Sequence, residues 1–195
     1  MESTQILEQT VRLMHTISDI NAAAAILNWD QETYMPSGAS ETRAEQISTL
    51  ETLSHQFLTG AEGQTIAGKI VGMNGAAAKH PLLTLFMHDF ERASKLPEDL
   101  VRRTSRAQAL AQDTWKHARA EKNYAKFLPA LSELIELKIE AAERYGYAEN
   151  RYDALLNLFE PGMTVAQLNP VFANLRTATA NILSAIAPNR DRVSD

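Results

Sequence analysis

Apolar residues recur in steps of three and four along most of the chain. Leu7, Val11, Met14, Ile17, Ile20, Ala24 and Leu27 form the first series, and that spacing places them on one helix face. A second series, Ala44, Ile47, Leu50, Ser54 and Phe57, follows a break at Met35-Pro36-Ser37-Gly38. Proline disfavours helical geometry in the residue before it, and glycine lets the chain turn. The pattern predicts a long antiparallel helical hairpin. Its first helix covers about residues 4–34, roughly 45 Å, its second about residues 40–58, and Trp29 lies near the tip. Thr42 and Glu45 have capping-box spacing at the start of the second helix.

Five of the eight glycines fall between residues 60 and 80. Glycine weakens a helix by up to about 1 kcal/mol per residue, so a short helix near Gln64–Val71 and a mobile segment after it are expected. Pro81 suits the first turn of a third long helix ending near Lys95, with Leu82, Leu85, Phe86, Asp89, Phe90 and Ala93 facing inward. Pro97 opens a fourth, with Leu100, Thr104, Ala107, Ala111 and Trp115 in series to about Ala120. Asn123 is a cap for the next segment, which Pro129 divides into a turn and a helix over Ala130–Arg144, stopped by Gly146. A short helix over 148–160 is broken by Pro161-Gly162. Thr164-x-x-Gln167 then caps a last helix through Leu168, Phe172, Leu175, Ala178, Ile182 and Ile186, with Pro170 in its opening turns and a frayed end after Pro188. No strand pattern interrupts the series. The fold class is all-α: a hairpin over 1–59, a Gly-rich mobile segment over 60–80 and a helical body over 81–188.

Composition narrows the function. A net charge of −5 gives no basic face for nucleic acid. The absence of cysteine excludes disulfides, thiolate metal sites and thiol nucleophiles. The small apolar run from Ala22 to Leu27 is too short to span a bilayer, and no basic, then apolar, leader opens the chain. A soluble cytoplasmic protein without membrane or nucleic-acid partners is expected.

The residues alone assemble no active site. None of His15, His55, His80, His88 and His117 sits in His-Glu-x-x-His or Glu-x-x-His. Asp113 with His117, Glu51 with His55, and His88 with Glu91 each bring two groups to one helix face, where hydrogen-bonded pairs are the better reading than metal ligands. No Gly-x-Ser-x-Gly and no phosphate-cradling loop is present. Around the hairpin tip, Trp29, Asp30, Glu32 and Tyr34 admit two readings. They form a cleft wall, or, as the residues by themselves favour, Trp29 anchors the core and the carboxylates are solvated or capping groups. Tyr152 and Asp153 are weighed in the same way.

The stretch Ala24-Ala25-Ile26-Leu27-Asn28-Trp29-Asp30-Gln31-Glu32-Thr33-Tyr34-Met35-Pro36, followed by Arg43-Ala44-Glu45-Gln46, resembles the N-terminus of the thermostable metallocarboxypeptidases of the carboxypeptidase Taq family. Two later blocks resemble that family in the same order. They are Asp89-Phe90-Glu91-Arg92-Ala93-Ser94-Lys95-Leu96-Pro97, and Tyr152-Asp153-Ala154-Leu155-Leu156 with Glu160-Pro161-Gly162-Met163-Thr164. The resemblance implies part of a saddle-shaped helical fold with a deep groove, and a parent enzyme that removes C-terminal residues from peptides. Zinc or cobalt, held by His-Glu-x-x-His and a later Glu, would serve that parent. Those motifs lie downstream of the matching blocks, so no catalytic or metal-ligating residue is assigned here and none of these residues is expected to bind the metal. Trp29, Asp30, Glu32, Tyr34, Tyr152 and Asp153 are the groove-lining or structural candidates. The chain is then a truncation, a separately expressed domain or a gene remnant, and inactive alone. The alternative is a non-catalytic helical interaction module. Missing partner helices would leave Phe86, Phe90, Phe172 and Leu175 uncovered and favour a homodimer.

Overall fold

A computed structural model describes residues 2–36, 38–74 and 79–188. Eight helices run in order among them: α1 (Glu2–Thr33), α2 (Ser40–Thr59), α3 (Ala61–Val71), α4 (Pro81–Ala93), α5 (Glu98–Ala120), α6 (Tyr124–Tyr145), α7 (Arg151–Leu156) and α8 (Val165–Ile186). No strand occurs among the described residues, so the all-α class holds. The chain forms two compact units, residues 1–145 and 146–195. The division therefore falls at Gly146, inside the stretch expected to form one body over 81–188.

In the first unit α2 packs on α1 and α5, and α5 packs in turn on α6. The helices thus lie side by side in the order α1, α2, α5, α6. At the N-terminal end of α1, helices α3 and α4 close over Ile6 and Leu13 with Ile66, Ala67, Ile70, Leu83 and Phe86. Phe86 is 0% exposed, so truncating it to alanine should cost about 3–5 kcal/mol. It is a core residue and not an uncovered one, which corrects the expectation made for it. Its partners on α4 are Leu83 and, partly, Phe90 and Met87, while Leu85 faces solvent. Smaller apolar clusters join α2 to α5 through Ala44, Ile47 and Ala109, and α5 to α6 through Leu100, Ala107, Leu137 and Ala141.

Small polar residues enter these interfaces. Thr10, Ser48, Thr52 and Ser105 are buried, and Phe57, expected inside, is exposed. Thr10 Oγ1 donates to the Ile6 carbonyl (2.8 Å) and Ser48 Oγ to that of Glu45 (3.1 Å). A hydroxyl satisfied by its own helix removes the cost of burial and lets two backbones approach. The stripe on the first half of α1 consequently centres on Ile6, Thr10 and Leu13, with Leu7 and Met14 at its edge.

Several punctuation marks fall as the sequence predicts. Pro81 occupies the first turn of α4 behind an N-cap His80 whose Nδ1 accepts from Leu82 N. Asn123 Oδ1 accepts from Lys126 N (3.3 Å) at the start of α6, and Gly146 takes a positive φ of 78° after it. Others do not. Pro129 is the sixth residue of a continuous α6 and does not divide it, whereas Pro170, the sixth residue of α8, does lie in the opening turns as expected. So near an N-terminus a proline removes a bond from the opening turns only. The Thr42–Glu45 box is not made: α2 starts at Ser40 behind Ala39 without a side-chain cap. The short helix of the Gly-rich region is longer than expected, Ala61–Val71, and buries Gly63, Ile66, Ala67 and Ile70. The segment expected to fray after Pro188 lies outside the described residues.

In the second unit side chains tie the turns. Asn150 Oδ1 caps α7 by accepting from Tyr152 N (2.9 Å), and Asn157 Oδ1 accepts from Gly162 N (2.9 Å). Thr164 and Gln167 form the predicted capping box of α8. The apolar series on α8 stays open among the described residues: the helix has no buried residue, and Val171, Phe172, Leu175, Ile182, Leu183 and Ile186 are all exposed. Among the described residues no helix is long and apolar enough to cross a membrane.

Candidate functional site

The tip of the first hairpin is held by polar bonds. Arg43 Nη1, from α2, lies 2.6 Å from Asp30 Oδ2 and donates to the Leu27 carbonyl at 2.8 Å. Gln31, only 5% exposed, donates from Nε2 to the Ala109 carbonyl of α5 (2.7 Å). Glu32 accepts from Gln112 Nε2 (2.6 Å) and pairs with Lys116 Nζ (3.1 Å), which also donates to the Gln31 carbonyl (2.8 Å). Thus Asp30 ties α1 to α2, while Gln31 and Glu32 tie it to α5. The buried side chain at the tip is Gln31 and not Trp29.

Trp29 is 58% exposed, which overturns its expected place in the core. Its ring meets that of Tyr34, also exposed, edge to face with centroids 5.4 Å apart. The reason is rotational: the stripe reaches the tip through Ala24, Leu27 and Gln31, and Trp29 sits about 200° around the helix from Gln31. It borders a cleft of about 430 Å³ between α1, α2 and α5. Glu32, Glu51, Ser105, Gln108 and Gln112 also line this cleft. Of the candidates named from sequence, Trp29 and Glu32 meet there, whereas Asp30 and Tyr34 are not in its lining. Tyr152 and Asp153 belong to the second unit. There Tyr152 is exposed, and Asp153 Oδ1 accepts from Val165 N at 2.7 Å. That makes Asp153 a structural tie between α7 and α8.

Ser105, Gln108 and Gln112 escaped the reading of the sequence, although 105, 108 and 112 have the spacing of a single helix face. Ser105 is 2% exposed, and its Oγ has no hydrogen-bond partner among the described residues. Glu51 has no hydrogen bond or ion pair among them. Its charge acts on Lys138 of α6, whose pKa burial lowers and Glu51 partly restores.

The histidine pairs resolve into local bonds. His117 Nδ1 lies 2.9 Å from the Asp113 carbonyl and 3.7 Å from its carboxylate. His55 turns from Glu51 toward the Ala93 carbonyl (3.1 Å) and Thr59. His88 sits 3.1 Å from Asp89 rather than beside Glu91. Among the described residues no three of His, Asp and Glu converge in a way that could hold a metal ion.

Residues 9–194 match the family model for the carboxypeptidase Taq (M32) metallopeptidases. The chain belongs to this family. It is 29% identical to carboxypeptidase 1 of Bacillus subtilis over 182 residues, 92% of this chain and 36% of that protein. Thermostable carboxypeptidase 1 of Pyrococcus furiosus is also 29% identical, over 93% of this chain and 37% of its own length. Among solved structures, the BsuCP crystal structure matches with a TM-score of 0.81 and 28% identity, over 95% of this chain and 37% of that one. The chain therefore spans little more than a third of the curated relatives it matches. The M32 fold is helical, as found here, and the family is one of metallopeptidases.

Proposed function

We propose that residues 1–195 form the N-terminal helical part of a metal-dependent carboxypeptidase that removes C-terminal residues from peptides. In this reading the hairpin tip around Trp29, Glu32 and Tyr34 contributes to a wall or lid of the peptide groove. The observation that carries it is the match of nearly the whole chain to the M32 family, set beside a coverage of 36–37% in the full-length relatives.

Peptide hydrolysis of this kind requires a Lewis acid, an activated water and a general base at one point. The described residues do not fit that demand. No three of their His, Asp and Glu side chains converge where a metal ion could sit. The metal, zinc or cobalt, and the base are therefore assigned to residues of a longer chain. These helices shape the groove and exclude water from it. A cytoplasmic location goes with this reading, since a cysteine-free, acidic chain suits a reducing compartment.

The experiment is to read the gene beyond Asp195 and assay its product. A longer chain carrying His-Glu-x-x-His should release the C-terminal residue of a blocked dipeptide and stop on chelation. Residues 1–195 alone should release none, with or without zinc or cobalt. Metal-dependent turnover by these residues alone would overturn the assignment, as would a longer chain that contains the motif, binds metal and hydrolyses no peptide.

A further inference from the structure

The cleft beside Trp29 contains polar groups that make no hydrogen bond among the described residues. Ser105 Oγ is buried in its lining without a partner among the described residues. A helical serine commonly bonds back to its own helix, and this one does not. Leaving a buried hydroxyl unpaired costs about 1–3 kcal/mol; Thr52 Oγ1 is unpaired as well but lies outside this lining, so Ser105 is the one that a guest in the cleft would satisfy. Glu51, likewise without a hydrogen bond, and the exposed Gln108 carboxamide lie in the same lining.

The chemistry selects the ligand. Two carboxylates and no lysine or arginine line the cleft, which disfavours phosphate and other anions. Ile47, Ala109 and Trp29 are the apolar contributors among otherwise polar neighbours, too few for a wholly apolar guest. What the lining offers is a hydroxyl and carboxamides that both donate and accept, a carboxylate that accepts, and one aromatic face. A peptide main chain, alternating N–H and C=O, matches that set. The volume of about 430 Å³ lies within the range of small-ligand sites.

We propose that the cleft between α1, α2 and α5 binds the main chain of a peptide, with Ser105 and Gln108 as its hydrogen-bonding groups and Trp29 as the platform for one side chain. This deepens the function proposed above and rests on it for the origin of the peptide. The bound segment is the part of the substrate upstream of the scissile bond.

The test uses the two tryptophans. Trp115→Phe leaves Trp29 as the single indole, and acetyl-tetraalanine amide, which has no free C-terminus, serves as the probe. Emission from Trp29 should change saturably as the peptide is added. Ser105→Ala and, separately, Gln108→Ala should each raise the dissociation constant about fivefold, the value of one neutral hydrogen bond. Gln108 is exposed, so its variant keeps the test sound even if Ser105→Ala perturbs packing. No saturable change, or unaltered affinity in both variants, would overturn the assignment. A longer chain that hydrolyses peptides with the same KM for a pentapeptide in both variants would sink the cleft and leave the carboxypeptidase reading standing. Ser105-dependent binding with no hydrolysis by the metal-loaded longer chain would do the reverse.

Discussion

Arg43 and Asp30 meet at 2.6 Å across the turn between α1 and α2, thirteen residues apart in sequence. The guanidinium is the more sheltered partner, with 14% of its side chain exposed against 30% for the carboxylate. Because Arg43 also donates to the Leu27 carbonyl, its loss leaves both a carboxylate and a backbone oxygen short of a donor. Arg43→Ala should therefore destabilise the chain by about 1.5–3 kcal/mol, and Arg43→Lys should recover only part of this because an ammonium lacks the planar fork. Urea denaturation midpoints check both variants.

Trp29→Ala should leave stability nearly unchanged, within about 1 kcal/mol, because the indole is more than half exposed. A core tryptophan would cost about 3–5 kcal/mol. In a longer, active chain the same change should raise KM for extended peptides more than it lowers kcat, and steady-state kinetics against peptides of increasing length would show it.

Gly63→Ala should destabilise although alanine is the better helix former. A Cβ at Gly63 would run into the backbone carbonyl of Leu58 at the α2–α3 junction, and backbone does not yield as a flexible side chain does. The strain should outweigh the helix-propensity gain of about 1 kcal/mol. Gly68→Ala, where nothing lies within 4 Å, should be neutral or stabilising. Thermal melts of the two variants should move in opposite directions.

At alkaline pH two half-buried groups act in opposite senses. Burial raises the Tyr145 pKa above its ordinary 10.0, and the Arg92 guanidinium, 3.7 Å from the ring centroid, partly opposes that. The neutral phenol is thus favoured in the folded state, and its contribution is complete below pH 10 and lost as pH rises through the folded value. Lys138 has its pKa lowered from 10.5 by burial. Its charged form burdens the folded state at neutral pH, and the burden lifts as pH rises through the lowered value toward 10.5. Tyr145→Phe should flatten the loss of stability above pH 10. Lys138→Met should stabilise at pH 7, with a gain that fades toward pH 10.5. Denaturation curves across pH 7–11 test both.

The helices were legible because their breakers are chemically unambiguous: Pro36, Pro97, Gly146 and Pro161-Gly162 fall between helices, and Pro81 opens α4. Their inner faces were less so. Periodicity ranks Leu, Ile and Phe as interior, but Thr10, Ser48 and Ser105 are buried and Leu85 and Phe57 are exposed, since small side chains let helices approach. Pro129 misled because a proline's effect depends on its distance from the helix start. At the site, Trp29 and Glu32 could be singled out from a local block. The cleft they border needs α5, about eighty residues on, and no local pattern brings Gln108 and Gln112 beside them.

The bare apolar stripe of α8 bears on motion. Most helical stability in proteins comes from tertiary packing rather than propensity, and α8 has its capping box but no buried side chain. Its backbone amides are shielded by little more than the local helix–coil balance, whereas those of α2 open only when neighbouring helices separate. In deuterated water α8 should exchange within the earliest time points and α2 among the last. Whatever surface comes to cover Phe172, Leu175 and Ile182 would announce itself as slowed exchange along that one helix.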